Sequence, residues 1–138
     1  MTMSGFTTSD EVRRYLGGIF ETAFADAELG PKLAATGLVL KLAYTEPNAT
    51  IIIDAPRQQV RVAQDGEQTD AAMTMSSDTG NEYWQGKVNL TFAIARGKVK
   101  VDGQVAKLLK LAPLSKKLFP VYVDRLRADG RQDLIVGG

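Results

Sequence analysis

Cysteine and histidine are both missing from this 138-residue sequence. Without cysteine there are no disulfides and no thiolate metal sites. Without histidine there is no His-dependent nucleophilic catalysis, and the usual catalytic zinc site loses its ligands. No apolar run approaches the ~20 residues that span a bilayer. The opening MTMSGFTTSDEV lacks the basic-then-apolar order of a secretory leader, and the closing LIVGG is not a Ser-Lys-Leu address. The expected location is therefore the cytoplasm. Phosphate loops are missing as well: there is no G-x-x-x-x-G-K-[ST], no strand–G-x-G-x-x-G–helix unit and no G-x-S-x-G elbow. No cofactor is expected.

What is present suits a single domain over residues 1–138, with its core at about 10–130. The composition is that of a globular protein, 44% hydrophobic and 24% charged. The net charge of +1 is unevenly spread. Residues 1–95 hold 7 basic and 12 acidic side chains, whereas residues 96–131 hold 10 basic and 3 acidic. Such asymmetry suits either a surface that meets phosphates or solvated faces of amphipathic helices. The basic residues are not interleaved with aromatics, so nucleic acid is not an expected partner. Glu46 and Asp54 flank a strand, and Asp65, Glu67 and Asp70 flank a turn. None completes a metal-loop spacing, and no metal site is expected. A small enzyme would need Asp54 or Glu46 turned into an apolar pocket, where burial raises a carboxyl pKa.

Along the chain, residues 1–7 read as loose. Thr8 with Glu11 forms a capping box, and Val12, Leu16, Ile19, Phe20 and Ala23 recur at helical spacing to about Phe24. Gly17-Gly18 weakens that helix, or lets it pack closely on a sheet. Asp26 predicts an N-cap for a helix over Ala27–Ala35, with Pro31 near its start and Gly37 past its end. Four strands follow at spacings of about ten residues: Leu38–Tyr44, Ala49–Asp54, Gln59–Gln64 and Asp70–Ser76. That spacing predicts antiparallel neighbours, with Asp65-Gly66 as a hairpin turn. Ser76-Ser77-Asp78 predicts a helix carrying Tyr83 and Trp84, the only tryptophan. Asn89–Arg96 reads as a helix or as a strand, with helix favoured because it follows one closely and ends at Gly97. A fifth strand over Lys98–Asp102, a helix over Gln104–Ala112 stopped by Pro113, and a helix over Phe119–Ala128 complete the order. Grouped strands followed by helices make this an α+β protein: a five-stranded, mainly antiparallel sheet covered on one face by about five helices. An apolar stripe is usually packed core, and composition cannot separate a filled core from a hollow one.

Three motifs in order resemble one family. They are Trp84-Gln85-Gly86-Lys87, the strand and turn Gly97-Lys98-Val99-Lys100-Val101-Asp102-Gly103, and the helix Ala106-Lys107-Leu108-Leu109-Lys110-Leu111. With the Asn48–Ala55 strand and the Met73-Thr74-Met75-Ser76 strand leading into a helix, they resemble the sterol carrier protein type 2, or nonspecific lipid-transfer, family in a stand-alone bacterial style. The resemblance covers roughly residues 10–130. It implies a hydrophobic tunnel between sheet and helices, and ligands among fatty acids, fatty acyl-CoA, sterols and phospholipids, with no chemistry performed. On that reading the apolar lining is expected from Phe20, Ile51, Ile53, Met73, Met75, Trp84, Phe92, Leu108, Leu109, Leu111, Phe119, Tyr122 and Leu126. Phe119, Tyr122 and Leu126 form a lid, and Lys107, Lys110, Lys116 and Lys117 stand at the mouth near headgroups. Partners on this reading are a lipid or acyl-CoA ligand, a membrane surface, and a lipid- or steroid-metabolising enzyme on which the domain docks.

Overall fold

The computed structural model describes residues 5–64 and 66–136. Its first helical stretch runs as α1 (Ser9–Val12), a π turn (Arg13–Gly17) and α2 (Gly18–Ala25). Thr8 Oγ1 accepts the Glu11 N–H at 3.1 Å, as the capping box predicts. The Glu11 carboxylate reaches back one residue further, taking the Thr7 N–H at 2.9 Å and the Thr7 hydroxyl at 2.6 Å. Residues 5–7 are held rather than loose. Phe6 is buried and stacks on Tyr15 at 5.8 Å. Residues 1–4 lie outside the described residues. The helix rests its Gly17 edge on Ile51 and Val60 of the sheet. Next, Asp26 Oδ1 accepts the Glu28 and Leu29 N–H groups at 2.8 and 2.9 Å, starting α3 (Leu29–Ala35). Pro31 falls in the first turn of α3, where its missing N–H leaves no bond unmade.

Five strands follow: β1 (Val39–Thr45), β2 (Ala49–Asp54), β3 (Gln59–Val62), β4 (Ala71–Ser76) and β5 (Lys100–Gly103). They form one sheet in the order β3-β2-β1-β4-β5. Three pairings are antiparallel and one, β1 with β4, is parallel. The expected succession of antiparallel neighbours therefore fails at β4. The chain leaves β3 at the edge and crosses past β2 to the far side of β1. Asp70 fixes the landing, because its Oδ2 accepts the Val39 N–H at 2.8 Å and its N–H donates to Val39 O at 2.9 Å. Asp65-Gly66 consequently joins no hairpin. Gly66 lies in the crossing segment, and Asp65 lies outside the described residues. The Arg61 guanidinium pairs with Glu67 and tethers that segment.

Alternation sends Leu40, Leu42, Tyr44, Ile51 and Ile53 to the buried side. Helices cover that face. Ser76 Oγ accepts the Thr79 N–H at 3.1 Å and starts α4 (Ser77–Trp84) directly after β4. Asn89 caps α5 (Leu90–Ala95) in the same way at 3.2 Å. The helix expected over Gln104–Ala112 is two shorter ones, α6 (Val105–Leu109) and α7 (Leu111–Lys116). Pro113 does not stop a helix. It sits third in α7, still within the first turn, where no N–H is required.

The last helix, α8 (Phe119–Ala128), has Pro120 in its first turn and ends at Gly130. A short 3-10 turn, Gln132–Leu134, then returns to the body of the fold. Leu134 is buried, and its carbonyl accepts from Asn81 Nδ2 and Gln85 Nε2, each at 2.8 Å. Asn81 Oδ1 accepts the buried Tyr122 hydroxyl at 2.7 Å. Asn81 thus ties α4, α8 and residue 134 together. No helix among the described residues is long and apolar enough to cross a membrane.

Asn81→Ala should lower unfolding free energy by about 1–3 kcal/mol, because a buried carbonyl and phenol lose partners. It should also speed hydrogen exchange around Leu134. Urea denaturation and exchange mass spectrometry check both effects. At the other end, hydrogen bonds from Thr7, and then from Arg131, hold the Glu11 carboxyl at about 2, below its ordinary 4.5. A depressed carboxyl contributes stability that is complete above pH 4.5 and is lost as pH falls toward 2. Glu11→Gln should therefore lower the urea midpoint at pH 7 and flatten its decline between pH 4.5 and 2.

Candidate functional site: an apolar cavity under the helices

The parallel pairing sets Leu42 beside Met73 and Tyr44 beside Met75. With Leu40 they make the floor of a partly open cavity. Phe20 of α2 forms one side. Gly80, Tyr83 and Trp84 of α4 form another, and Leu90, Leu108, Leu111, Ala112 and Ser115 complete the roof from α5, α6 and α7. The cavity volume is about 30 Å³. Larger depressions open directly to solvent, such as the groove of about 590 Å³ between α2 and β3 with Glu21 and Arg61 in its walls.

Trp84 is the hub of the aromatic packing. Phe20 meets it edge-on at 5.2 Å, Tyr83 at 5.4 Å and Phe119 at 6.1 Å. Edge-to-face contacts of this kind add about 0.5–1.5 kcal/mol each beyond area burial. Gly80 is a steric requirement. A Cβ there would stand 2.6 Å from Tyr44 Cε1 and 3.1 Å from Leu16 Cδ1. None of the cavity-lining residues is ionisable as an acid or a base at neutral pH. The only titratable groups in the wall are the phenols of Tyr44 and Tyr83, both pushed up by burial. The neighbouring Ser115 hydroxyl partly opposes the shift at Tyr83. Ser115 itself donates to Leu111 O at 2.9 Å.

A family model for the SCP-2 sterol transfer family matches residues 19–116, which include every element of the cavity wall. The chain belongs to that family. Among curated protein sequences none matches. Solved structures share the fold at low identity. The sterol carrier protein domain 2 of Helicoverpa armigera is 22% identical, with a TM-score of 0.66 over 86% of this chain and 96% of that one. The sterol carrier protein 2 of Aedes aegypti, solved in complex with palmitate, is 22% identical, with a TM-score of 0.55 over 83% of this chain and 96% of that one. The sec-alkylsulfatase Pisa1 of Pseudomonas sp. is 20% identical, with a TM-score of 0.50 over 62% of this chain but only 14% of its own.

Within this SCP-2 fold, the residues expected in the lining divide into groups. Phe20, Met73, Met75, Trp84, Leu108 and Leu111 stand together around the cavity. Ile51 and Ile53 are buried one strand away, in the packed core beneath α1 and α2. Phe92 is 64% exposed and Leu109 41% exposed, and both point away from the cavity. Phe119 packs behind Trp84 without reaching it, and Tyr122 and Leu126 are fully buried core residues. In this conformation α8 is a core helix, and none of its side chains lines the cavity. Lys107, Lys110 and Lys116 lie on or beside α6 and α7, outside the wall. Lys117 pairs with Glu28 at 3.1 Å. Asp54 is buried but does not line the cavity, accepting the Arg57 N–H at 3.2 Å, and Glu46 is exposed. The apolar pocket that an Asp54 or Glu46 enzyme needs therefore holds neither carboxylate. Leu40, Leu42, Tyr44, Gly80, Tyr83, Leu90, Ala112 and Ser115 line the cavity without being among the residues expected there. Tyr44 was signalled by its alternation with Leu40 and Leu42, and Tyr83 by its place beside Trp84. Nothing local marks Ser115.

Gly80→Ala separates two effects at this wall. Helix propensity alone would stabilise α4 by about 1 kcal/mol. The contact with Tyr44 should outweigh it and leave a net loss of about 1–2 kcal/mol, as overpacking does. A rise in the urea midpoint would refute the close approach.

Proposed function

We propose that this chain is a non-catalytic carrier that takes up a lipid between its sheet and its α5–α7 roof and transfers it within the cytoplasm. The observation that carries this reading is the cavity wall of aliphatic, aromatic and thioether side chains, which among the described residues has no carboxylate or amine to perform acid–base chemistry. Membership in a family described by sterol transfer supports it, as does the palmitate complex of the Aedes aegypti protein. Fatty acids, fatty acyl-CoA, sterol-like molecules and phospholipids are the ligand classes. Each buried CH₂ contributes about 0.8 kcal/mol, so a long chain binds without any polar contact. Met73 and Met75 give the floor an adaptable surface.

A volume of about 30 Å³ accommodates a water or two and no lipid. Ligand sites run to roughly 300–1,000 Å³. Binding therefore parts the walls. The roof is the wall that yields: α6 and α7 have five and six residues, too few to persist without tertiary support. Lys107, Lys110 and Lys116 ride on this roof, where they meet anionic headgroups or a membrane surface in water. A second reading, docking on a lipid- or steroid-metabolising enzyme, is favoured by the occurrence of the fold as a minor part of an alkylsulfatase chain.

Trp84 is the only tryptophan and lies in the wall, so its emission reports occupancy directly. Titration with palmitate should give a saturable change. Ala112→Phe, which fills the roof, should weaken binding at least about tenfold, the equivalent of roughly 1.4 kcal/mol. Leu109→Ser, on the exposed side, should leave it unchanged. No saturable response to palmitate, cholesterol or phosphatidylcholine would end the carrier reading.

A further inference from the structure

The cavity is apolar except at one place. Tyr44 is 4% exposed and lines the floor. Its hydroxyl makes no hydrogen bond to another described residue, and since no side-chain oxygen among the described residues is both fully buried and unpartnered, that hydroxyl borders open space. Buried tyrosine hydroxyls ordinarily find a partner. The other buried phenols here do: Tyr122 donates to Asn81 at 2.7 Å and Tyr15 to Asp129 at 2.7 Å. The Tyr44 ring is also held in place. Met75 is its neighbour across the parallel pair, and Gly80 is pressed against its edge. Tyr83 shares the same cavity wall, and the two phenols lie close enough to influence one another electrostatically. Ser115, beside Tyr83, is the remaining hydroxyl in the wall.

We propose that Tyr44 and Tyr83 form a neutral hydrogen-bonding end to the cavity, which selects lipids whose enclosed polar group is an uncharged oxygen: an alcohol, a ketone or an ester. This rests on the carrier reading and specifies its ligand. A ligand oxygen seated there accepts from the Tyr44 hydroxyl, which has no protein acceptor among the described residues and otherwise faces space of water size. A carboxylate or phosphate in the same place would be desolvated with no cation in the wall, and an unpaired buried charge is strongly disfavoured. Burial keeps both phenols protonated, so they remain donors across the physiological range. A fatty acid reaches this end only as the neutral acid, or binds with its carboxylate left outside.

The test uses Trp84 emission on the wild-type protein, Tyr44→Phe, Tyr83→Phe and the double variant. The ligands are dodecane, dodecan-1-ol and methyl dodecanoate. Tyr44→Phe should weaken binding of the alcohol and the ester by about 3–10-fold, the worth of one neutral hydrogen bond, and leave dodecane unchanged. Tyr83→Phe should act in the same direction, and the double variant should bind all three ligands by chain alone. The thermal midpoint of Tyr44→Phe should not fall, because no protein partner is lost. A midpoint drop with equal weakening of all three ligands would make Tyr44 a packing residue and overturn the proposal. Unchanged binding of the alcohol and ester in the double variant would also overturn it, leaving an ordered water as the occupant of that end while the carrier reading stands. If dodecane, dodecan-1-ol and methyl dodecanoate all fail to bind the wild-type protein while palmitate binds, this inference alone is overturned; if palmitate, cholesterol and phosphatidylcholine also fail, the carrier reading falls with it.

Discussion

The parallel pairing of β1 with β4 is the constraint on which the rest of the structure depends. It sets Leu42 against Met73 and Tyr44 against Met75, so the two middle strands present a continuous apolar strip. Because β4 runs in the same direction as β1, α4 leaves its end at Ser77 on the side where β1 also ends. The helix then lies directly over Tyr44, and Gly80 is the residue at the crossing. An antiparallel β4 would have delivered α4 to the opposite end of the sheet. Trp84 would then have no Phe20 to meet, and no cavity would form between them. The bonds between Asp70 and Val39 at the start of the pair are small in number, yet they determine this register.

Around that strip the helix layer divides into two halves of different character. On the α1–α3 and α8 side Val12, Leu16, Ile19, Tyr122 and Leu126 have essentially no contact with solvent, while Val121 on the outer face of α8 is exposed. Asn81 locks this half to the returning chain at Leu134 with hydrogen bonds that water does not reach. On the α5–α7 side each helix is under two turns long and buries one or two side chains, while Phe92, Val105 and Leu109 face outward. Stability is concentrated where packing is dense, and local opening draws on the other end of that scale. The cavity lies at the boundary, with a rigid floor and a weakly held roof. That is the arrangement an exchangeable apolar ligand needs, since a wholly dense layer would have no room to open.

Most elements were legible in the sequence because their signals are local. Thr8, Asp26 and Ser76 act as caps where their side chains predict them, Asn89 caps α5 from the start of the segment read as helical, and Gly130 lies just past the final helix. Strand direction is not local. The alternation of Met73 and Met75 reads the same whether β4 runs parallel or antiparallel to its neighbour, so spacing alone favoured the simpler hairpin order. Pro113 misled for a related reason: a proline marks either the end of one helix or the first turn of the next, and only the break at Lys110 distinguishes them. The placement of site residues follows the same logic. Strand residues such as Met73 have two faces to choose from, and the pleat decides. A five-residue helix defines its phase poorly, so Leu108 and Leu109 were equivalent from the sequence although one is buried and the other is exposed. The return of Leu134 depends on an amide 53 positions away, and no pattern in LIVGG announces it.

The distribution of charge completes the physical picture. The chain carries its excess of cations in residues 96–131, on and around the roof and α8, and brings none of them into the wall. Taking an ammonium out of water costs several kcal/mol unless a partner of opposite charge accompanies it. Lys107 and Lys110 can therefore act only on groups that themselves stay in solvent. Inside, the polar chemistry is limited to hydroxyls, which give up far less on burial and form directional bonds there. A carrier built on these terms handles the two ends of an amphiphile by different means. Screened, long-range attraction operates at the rim and weakens with salt. Apolar burial, with a single neutral hydrogen bond, operates within and does not. The sheet floors the cavity, and on the proposed reading the Tyr44 hydroxyl adds there a chemical preference that apolar burial alone cannot supply.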